Sequence, residues 1–462
     1  MSRVLVENSQ VVGLQEKPAL KRDLGVLESY ATLIGILIGS GIFVVTGQAG
    51  AIAGPSVPLA YLLMMPIILA TAAAYMVFMS TPLGNSPGGA YIHISRTFNS
   101  YYLGYIGMWL KWVAFIGALG VLSLSLGEYF TFFLPDANPV VIATLVLLFF
   151  FVVNLVGVKI YGKVQVVMFF LLLLAIAVLV IPGLFAVKLT NYQPLFPFGV
   201  KGMFAVMPSL FMSYAGFEAL AQTAGETKDA RKSIPKVFLR GILIAVLIYV
   251  LMSFVAFGVM PYQDLAQSKS AMADAANSYL PLGAASVVAM GAIMAFSTSI
   301  NSTLMVPARI LYVLAEERMI PKFLARLNPK YSTPDVSLAI STGIAILLLW
   351  TKTLGYMLNV ALQAMFLLYI FHGIALVFLP FVRKELYKKA QVKLAPGVLV
   401  AVGLFSVICM ILFSYTMILS VIKLFVVWIA VGTILYLYER NKAKKEGFDY
   451  SLNLKAWVNE DI

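Results

Sequence analysis

The stretch Gly35-Ile36-Leu37-Ile38-Gly39-Ser40-Gly41-Ile42-Phe43 decides how this chain folds. Apolar residues continue on both sides of it, over 27–51, so it sits inside a run long enough to cross a bilayer. Three glycines and a serine at that depth favour an unwound segment, because glycine is a poor helix former. Unwound backbone is tolerated within a membrane only where protein walls it or it lines a cavity, since each bare amide group facing lipid costs several kcal/mol. A glycine-broken span near the start of a long apolar chain therefore points to a ligand site at membrane depth.

Composition supports the membrane reading. Of the 462 residues 61% are hydrophobic and only 11% are charged, outside the range of soluble domains. Apolar runs recur at 27–51, 58–80, 101–134, 139–158, 164–187, 203–222, 237–260, 282–314, 336–350, 356–381, 396–417 and 418–437. Each is near or above the ~20 residues of a helical span except 336–350, which is short. They predict an all-α integral membrane protein with about twelve transmembrane helices in one domain over 24–438. A net charge of +13 would suit nucleic acid, but the basic residues alternate with spans rather than cluster. With the N-terminus inside, every Lys and Arg except Lys111, Lys188, Lys201, Lys269, Lys352 and Lys423 falls on inward segments or inner helix ends. This positive-inside bias predicts a multi-pass plasma-membrane protein whose tails, 1–23 and 439–462, are both cytoplasmic.

Other signals exclude functions. The first 22 residues are polar and lack the apolar core of a cleavable signal. Cys409 is the sole cysteine, so no intramolecular disulfide forms. His93 and His372 have no further ligand at metal-binding spacing, and no Ser/His/Asp grouping or phosphate-binding glycine loop occurs. Neither an enzyme nor a resident cofactor is expected.

The sixth run carries a second break, Phe211-Met212-Ser213-Tyr214-Ala215-Gly216-Phe217-Glu218-Ala219. Gly216 sits mid-span beside Glu218, an ionisable residue rare at such depth. The first and sixth runs head two five-helix sets, about 24–190 and 200–382, followed by two extra helices at about 396–438. Matching breaks in two halves indicate an inverted-repeat transporter with its site between them.

At these residues the chain resembles amino-acid permeases of the amino acid–polyamine–organocation (APC) superfamily, which have the LeuT-type fold. The resemblance rests on Gly39-Ser40-Gly41-Ile42-Phe43, on Pro87-Gly88-Gly89-Ala90-Tyr91 and on Asn154-Leu155-Val156-Gly157-Val158-Lys159 with Gln165. It rests further on Tyr214-Ala215-Gly216-Phe217-Glu218, on the loop from Glu226 to Pro235, and on Arg309-Ile310-Leu311-Tyr312 with Met319-Ile320-Pro321. It runs from about Leu24 to Arg440.

An α-amino acid brings a carboxylate and an ammonium, and neither enters a dry site unpaired. Breaking the first helix exposes amide donors at the N-terminus of its second half, where the helix dipole also favours an anion. The expected substrate-binding residues are Gly39, Ser40, Gly41 and Ile42 for the carboxylate, and Phe211, Tyr214, Ala215, Gly216 and Phe217 around the acceptors for the ammonium. Glu218 and Lys111 are the coupling or gating candidates. Glu218 reads as facing a substrate amine, as a proton-linked gate or as a partner of the broken backbone. Lys111 lies about ten residues into the third helix, roughly 15 Å deep, with Glu218, a substrate carboxylate or helix-end carbonyls as candidate partners.

The resemblance implies a candidate Na⁺ site from the Gly35 and Ile38 carbonyls with the Ser297 and Thr298 hydroxyls, inside the polar stripe 297–303. Hydroxyls bonding the preceding turn of their own helix are the structural alternative. Relatives that fill this position with a helix-five lysine are matched here by Leu172, which excludes a fixed ammonium there and leaves Na⁺, H⁺ or exchange open. The expected function is a secondary active amino-acid transporter working by alternating access, embedded in the lipid bilayer. No nucleic acid and no disulfide-linked subunit is expected, and the protein is a monomer or a non-covalent homo-oligomer. A polyamine or organic-cation exchanger is the nearest alternative, and a channel or nutrient receptor on the same fold is more distant.

Overall fold

The computed structural model describes residues 20–39, 41–131, 133–268, 270–281, 283–351, 353–448 and 450, and among them it is all-helical apart from one isolated bridge, Leu24 to Thr227. The first span is α1 (Val26–Leu37), a π-helical turn Gly41–Val45 and α2 (Thr46–Ala53). The second is α3 (Val57–Ser80), followed by the short α4 (Ala90–Phe98). Then come α5 (Tyr101–Phe130), α6 (Pro139–Leu155), α7 (Val158–Ala186), α8 (Gly199–Tyr214), α9 (Ala219–Gln222) and α10 (Ala230–Val259). The loop helices α11 (Tyr262–Gln267) and α12 (Ala271–Asn277) precede α13 (Ala284–Glu316), α14 (Asp335–Leu349), α15 (Leu354–Val382), α16 (Lys384–Lys388) and α17 (Pro396–Lys445).

Local chemistry sets these boundaries. Asn99 closes α4 in the left-handed region at φ 53°, and Ser100 then caps α5 by accepting from the Leu103 amide at 3.3 Å. Asn138 accepts from the Val140 amide at 2.9 Å, with Pro139 in the first turn of α6 where its missing N–H is no loss. Gly157 takes φ 121° in the tight joint between α6 and α7, which disfavours any side chain there.

By length and composition, nine described stretches can cross a membrane, the first of them, Val26–Ser80, holding α1 to α3. Two shorter apolar helices, Pro139–Leu155 and Asp335–Leu349, accompany them. Three expected boundaries move. The third run stops at Phe130 rather than 134. The two last runs, 396–417 and 418–437, are two spans, Pro396–Tyr415 and Met417–Lys445, the second extending to Lys445, although the helical ladder of α17 continues across their junction for 50 residues in all. At 1.5 Å per residue this is about 75 Å, more than twice the hydrocarbon thickness. Its flanks are tied to the same side, because Gln391 donates to Ser80 O at 3.2 Å and Glu446 pairs with Arg318 at 2.5 Å, so the run turns back between its halves. Last, the tail expected from 439 begins as helix to Lys445, and the Tyr450 hydroxyl bonds Arg318 O at 2.8 Å. Residues 1–19 and 451–462 of the two tails lie outside the described residues.

Candidate substrate site at the two helix breaks

The first helix stops where the glycines predict. Ile38 leaves the helical region at φ −82°, ψ 81°, and Gly39 N–H bonds back to Leu37 O at 3.0 Å before the chain resumes at Gly41. Ser40 falls outside the described residues. In the sixth span α8 ends at Tyr214, Ala215 is extended at ψ 143° and Gly216 takes φ 104°, a conformation that disfavours side chains. Glu218 then opens the short α9.

A tyrosine from α10 joins the two breaks. The Tyr249 hydroxyl lies against the carbonyls of Leu37 and Ser213, the latter at 2.5 Å. Beside it, the Tyr61 hydroxyl bonds Thr46 Oγ1 at 2.7 Å and Ser213 Oγ at 3.0 Å. Tyr249→Phe removes the single hydroxyl proton that two buried carbonyls share, and the expected loss is about 1–3 kcal/mol of stability. Thermal unfolding in detergent checks it, and an unchanged Tm would remove the hydroxyl from any role at the junction.

A cavity of about 50 Å³ lies where the breaks meet. Ile36, Leu37, Gly39 and Gly41 line it from the first span, and Met212, Ala215 and Gly216 from the sixth. Ala114, Phe115, Ala118 and Leu122 of α5, Thr303 of α13, and Ala361, Leu362 and Met365 of α15 complete it. No charged side chain is among these lining residues.

Gly39, Gly41, Ala215 and Gly216 of the expected set thus share one cavity. Ile42, Phe211, Tyr214 and Phe217 are buried but do not line it. Phe211 packs on Phe366, Tyr369 and Phe413, Tyr214 on Tyr61 and Tyr249, and Phe217 stacks on Tyr369 at 5.4 Å. The third, eighth and tenth spans are expected to shape the pocket, but no motif fixes which of their residues do so. Their apolar residues carry no signal that separates a cavity wall from a lipid-facing surface.

Of the three partners expected for Lys111, the structure supplies Glu218. Lys111 Nζ stands 3.9 Å from Glu218 Oε1, both side chains being inaccessible to solvent, and 5.3 Å from the Phe115 ring centre. The Tyr369 hydroxyl donates to Glu218 Oε2 at 2.5 Å. Glu218 therefore sits in a pair, and neither it nor Lys111 lines the cavity.

The candidate Na⁺ residues are partly dispersed. Thr298 Oγ1 donates to Gly35 O at 3.1 Å or to Ala295 O at 2.8 Å, and Ser299 Oγ donates to Gly35 O at 2.8 Å. Ser297 instead lines a separate apolar cavity with Leu126, Phe130 and Phe150. Ile38 and Leu172 are fully buried. Next to Gly35, Gln165 Nε2 bonds Ala31 O at 3.1 Å and Thr298 O at 3.2 Å, while Asn301 Nδ2 donates to Gln165 Oε1 at 2.8 Å. Asn154 Nδ2 extends this amide chain to Asn301 Oδ1 at 2.9 Å. Among the described residues no group of three or more His, Cys, Asp or Glu is placed to hold a metal.

The side carrying most basic residues is fastened. Arg309 of α13 forms a bidentate pair with Glu226, at 3.0 Å from Nε and 2.8 Å from Nη2. The Glu226 carbonyl accepts from Leu24 N at 3.0 Å and Lys228 N donates to Leu24 O at 2.9 Å, so the start of the first span and the end of the sixth are laced together.

Comparisons with known proteins agree with this architecture. The family described as amino acid permease matches residues 24–438. The branched-chain amino acid permease BcaP of Bacillus subtilis is 27% identical over 451 residues, covering 92% of this chain and 95% of that protein. The methylthioribose transporter of the same organism is 26% identical over 453 residues, covering 91% and 94%. The D-serine/D-alanine/glycine transporter of Escherichia coli K12 is 24% identical over 447 residues, covering 91% and 93%.

Proposed function

The chain belongs to the amino acid permease family, a transporter and not an enzyme, and from that premise we propose that it carries neutral amino acids by alternating access. The observation that carries the proposal is the cavity itself. Backbone from both breaks reaches it, supplying groups for a carboxylate and an ammonium, while its side-chain walls are apolar apart from Thr303. A substrate with an extra cationic group finds no free carboxylate in this lining, which disfavours the polyamine alternative. The names of two relatives, one for branched-chain amino acids and one for D-serine, D-alanine and glycine, fit a neutral substrate.

In this reading the first, second, sixth and seventh of twelve spans rock against the remainder. The Arg309–Glu226 pair latches the basic side, which the charge bias places in the cytoplasm. On the other side the Tyr129 hydroxyl donates to Phe43 O at 3.1 Å, with Phe296 packed on both rings. The hydroxyls already donating to the Gly35 carbonyl compete with a sodium ion for it, so a proton is the better coupling ion. A thermal-shift screen of leucine, alanine, serine, glycine and putrescine tests the substrate class. A neutral amino acid at 100 times its Kd is expected to add about 2.7 kcal/mol of stability, and putrescine none. Stabilisation by putrescine alone would overturn the proposal.

A further inference from the structure

Beyond the cavity, toward the basic side, lies a group of buried titratable side chains that substrate binding does not use. His93 Nδ1 of α4 and His372 Nε2 of α15 stand 3.0 Å apart, with their rings stacked at 14°. These residues are 279 positions apart in sequence, and both are shielded from solvent. Tyr75 of α3 meets the His372 ring edge-on at 4.1 Å and the Phe217 ring at 5.7 Å. Tyr369, one turn before His372 on α15, bonds Glu218, which faces Lys111. Four atoms along this line have no hydrogen-bond partner among the described residues: Lys111 Nζ, Glu218 Oε1, Tyr75 Oη and His372 Nδ1.

Buried polar atoms without partners cost about 1–3 kcal/mol each, so Tyr75 Oη and His372 Nδ1, next to a Lys111–Glu218 pair held at 3.9 Å without a hydrogen bond, call for an explanation. Two imidazoles are too few for a metal site. Each neutral imidazole has one N–H donor and one bare nitrogen acceptor, however, so two in contact can pass a proton from ring to ring. Tyr75 of α3 meets both imidazoles and Phe78 of the same helix stacks on both, while Phe217 lies between Tyr75 and Tyr369, whose hydroxyl bonds the Glu218 paired with Lys111. Arg96, one turn beyond His93 on α4, pairs with Glu317 at 2.7 Å.

We propose that Glu218, Tyr75, His372 and His93 form a proton path that links the Lys111–Glu218 pair beside the substrate cavity to the basic side of the protein. The proposal rests on the transport reading above. In its resting tautomer His372 Nε2–H donates to His93 Nδ1, which leaves His372 Nδ1 bare as an acceptor. A proton held on Glu218 passes by way of the Tyr75 hydroxyl and water to His372 Nδ1. His372 then gives its Nε2 proton to His93 Nδ1, and His93 releases its own Nε2 proton, so one proton enters and one leaves. Lys111 holds the charge of Glu218 once the proton has gone.

The test uses the full chain in proteoliposomes with a mixture of radiolabelled leucine, alanine and serine. Counterflow measures exchange without net proton movement, and an imposed pH gradient measures proton-driven accumulation. Glutamine keeps a hydrogen-bonding side chain but carries no proton, so His93→Gln and His372→Gln are the variants, with Tyr75→Phe as a third. Each is expected to lose gradient-driven accumulation and substrate-linked pH change while retaining counterflow. Unchanged accumulation overturns the path, and so does an equal loss of both activities in all three variants, which marks a structural role. Wild-type counterflow without any response to the pH gradient overturns this inference alone. Absence of wild-type counterflow overturns the transport reading and the path with it.

Discussion

Arg309→Ala is expected to cost about 3–5 kcal/mol of stability and to abolish uptake, because it strands the Glu226 carboxylate in the interior. Both side chains of this pair are nearly inaccessible, at 1% and 2% exposure, and both carboxylate oxygens are engaged by the guanidinium. A bidentate pair of this kind fixes orientation as well as distance. Its removal also frees the segment after α9, whose backbone holds the start of α1 through Leu24. Glu226→Gln keeps an acceptor for Arg309 and should cost less. The double variant Arg309→Ala with Glu226→Ala should be less destabilised than the sum of the singles, since the stranded charge is gone. Thermal unfolding in detergent of the wild type, Arg309→Ala, Glu226→Ala and the double variant gives the coupling energy. Additive losses would show that the two residues act independently.

Gly41→Leu is expected to eliminate both uptake and substrate-induced stabilisation. A Cβ built on Gly41 would lie 2.3 Å from the Cα and Oγ of Ser213, closer than real Cβ contacts come. Because one of those atoms is backbone, relief requires the two broken helices to part. Overpacking of this type costs typically 1–3 kcal/mol, with more expected for leucine than for alanine. The glycine is thus demanded first by the approach of the first span to the sixth, and the cavity forms as a result. Gly39 differs: its Cβ would meet the Ser299 hydroxyl at 2.4 Å, a side-chain atom that can rotate away. Gly39→Ala should accordingly keep more function than Gly41→Ala. Gly343→Ala in α14, where no heavy atom lies within 4 Å, serves as the control and should be neutral or slightly stabilising. Uptake retained in Gly41→Leu would refute the packing argument.

Much of the fold was legible because its causes are local. Membrane helices follow from apolar length, and the breaks fall at the glycines Gly39, Gly41 and Gly216, of which Gly216 acts on its own backbone through its positive φ. Glu218 and Lys111 stood out by charge alone, since ionisable groups rarely lie at such depth. The two last spans were legible as well, because apolar length locates where each must end, but not that the helical ladder continues through their junction.

The site's side-chain identity was less legible. Spans that are apolar all round give no periodic signal of which face looks inward, because lipid and protein core select the same residues. Phe211, Tyr214 and Phe217 sit beside the breaks in sequence yet turn toward other helices, whereas Ala114, Ala118 and Met365 reach the cavity from distant spans. The two histidines carried no message as isolated residues 279 positions apart. Sequence alone therefore determined that this chain crosses the membrane, that two spans break and that a transported amino acid is the expected ligand. Tertiary structure alone decided which walls enclose the cavity between the breaks, that Lys111 faces Glu218 and that His93 meets His372. Those choices depend on how helices rotate and pack against one another, a property of pairs of helices that neither strand of sequence contains by itself.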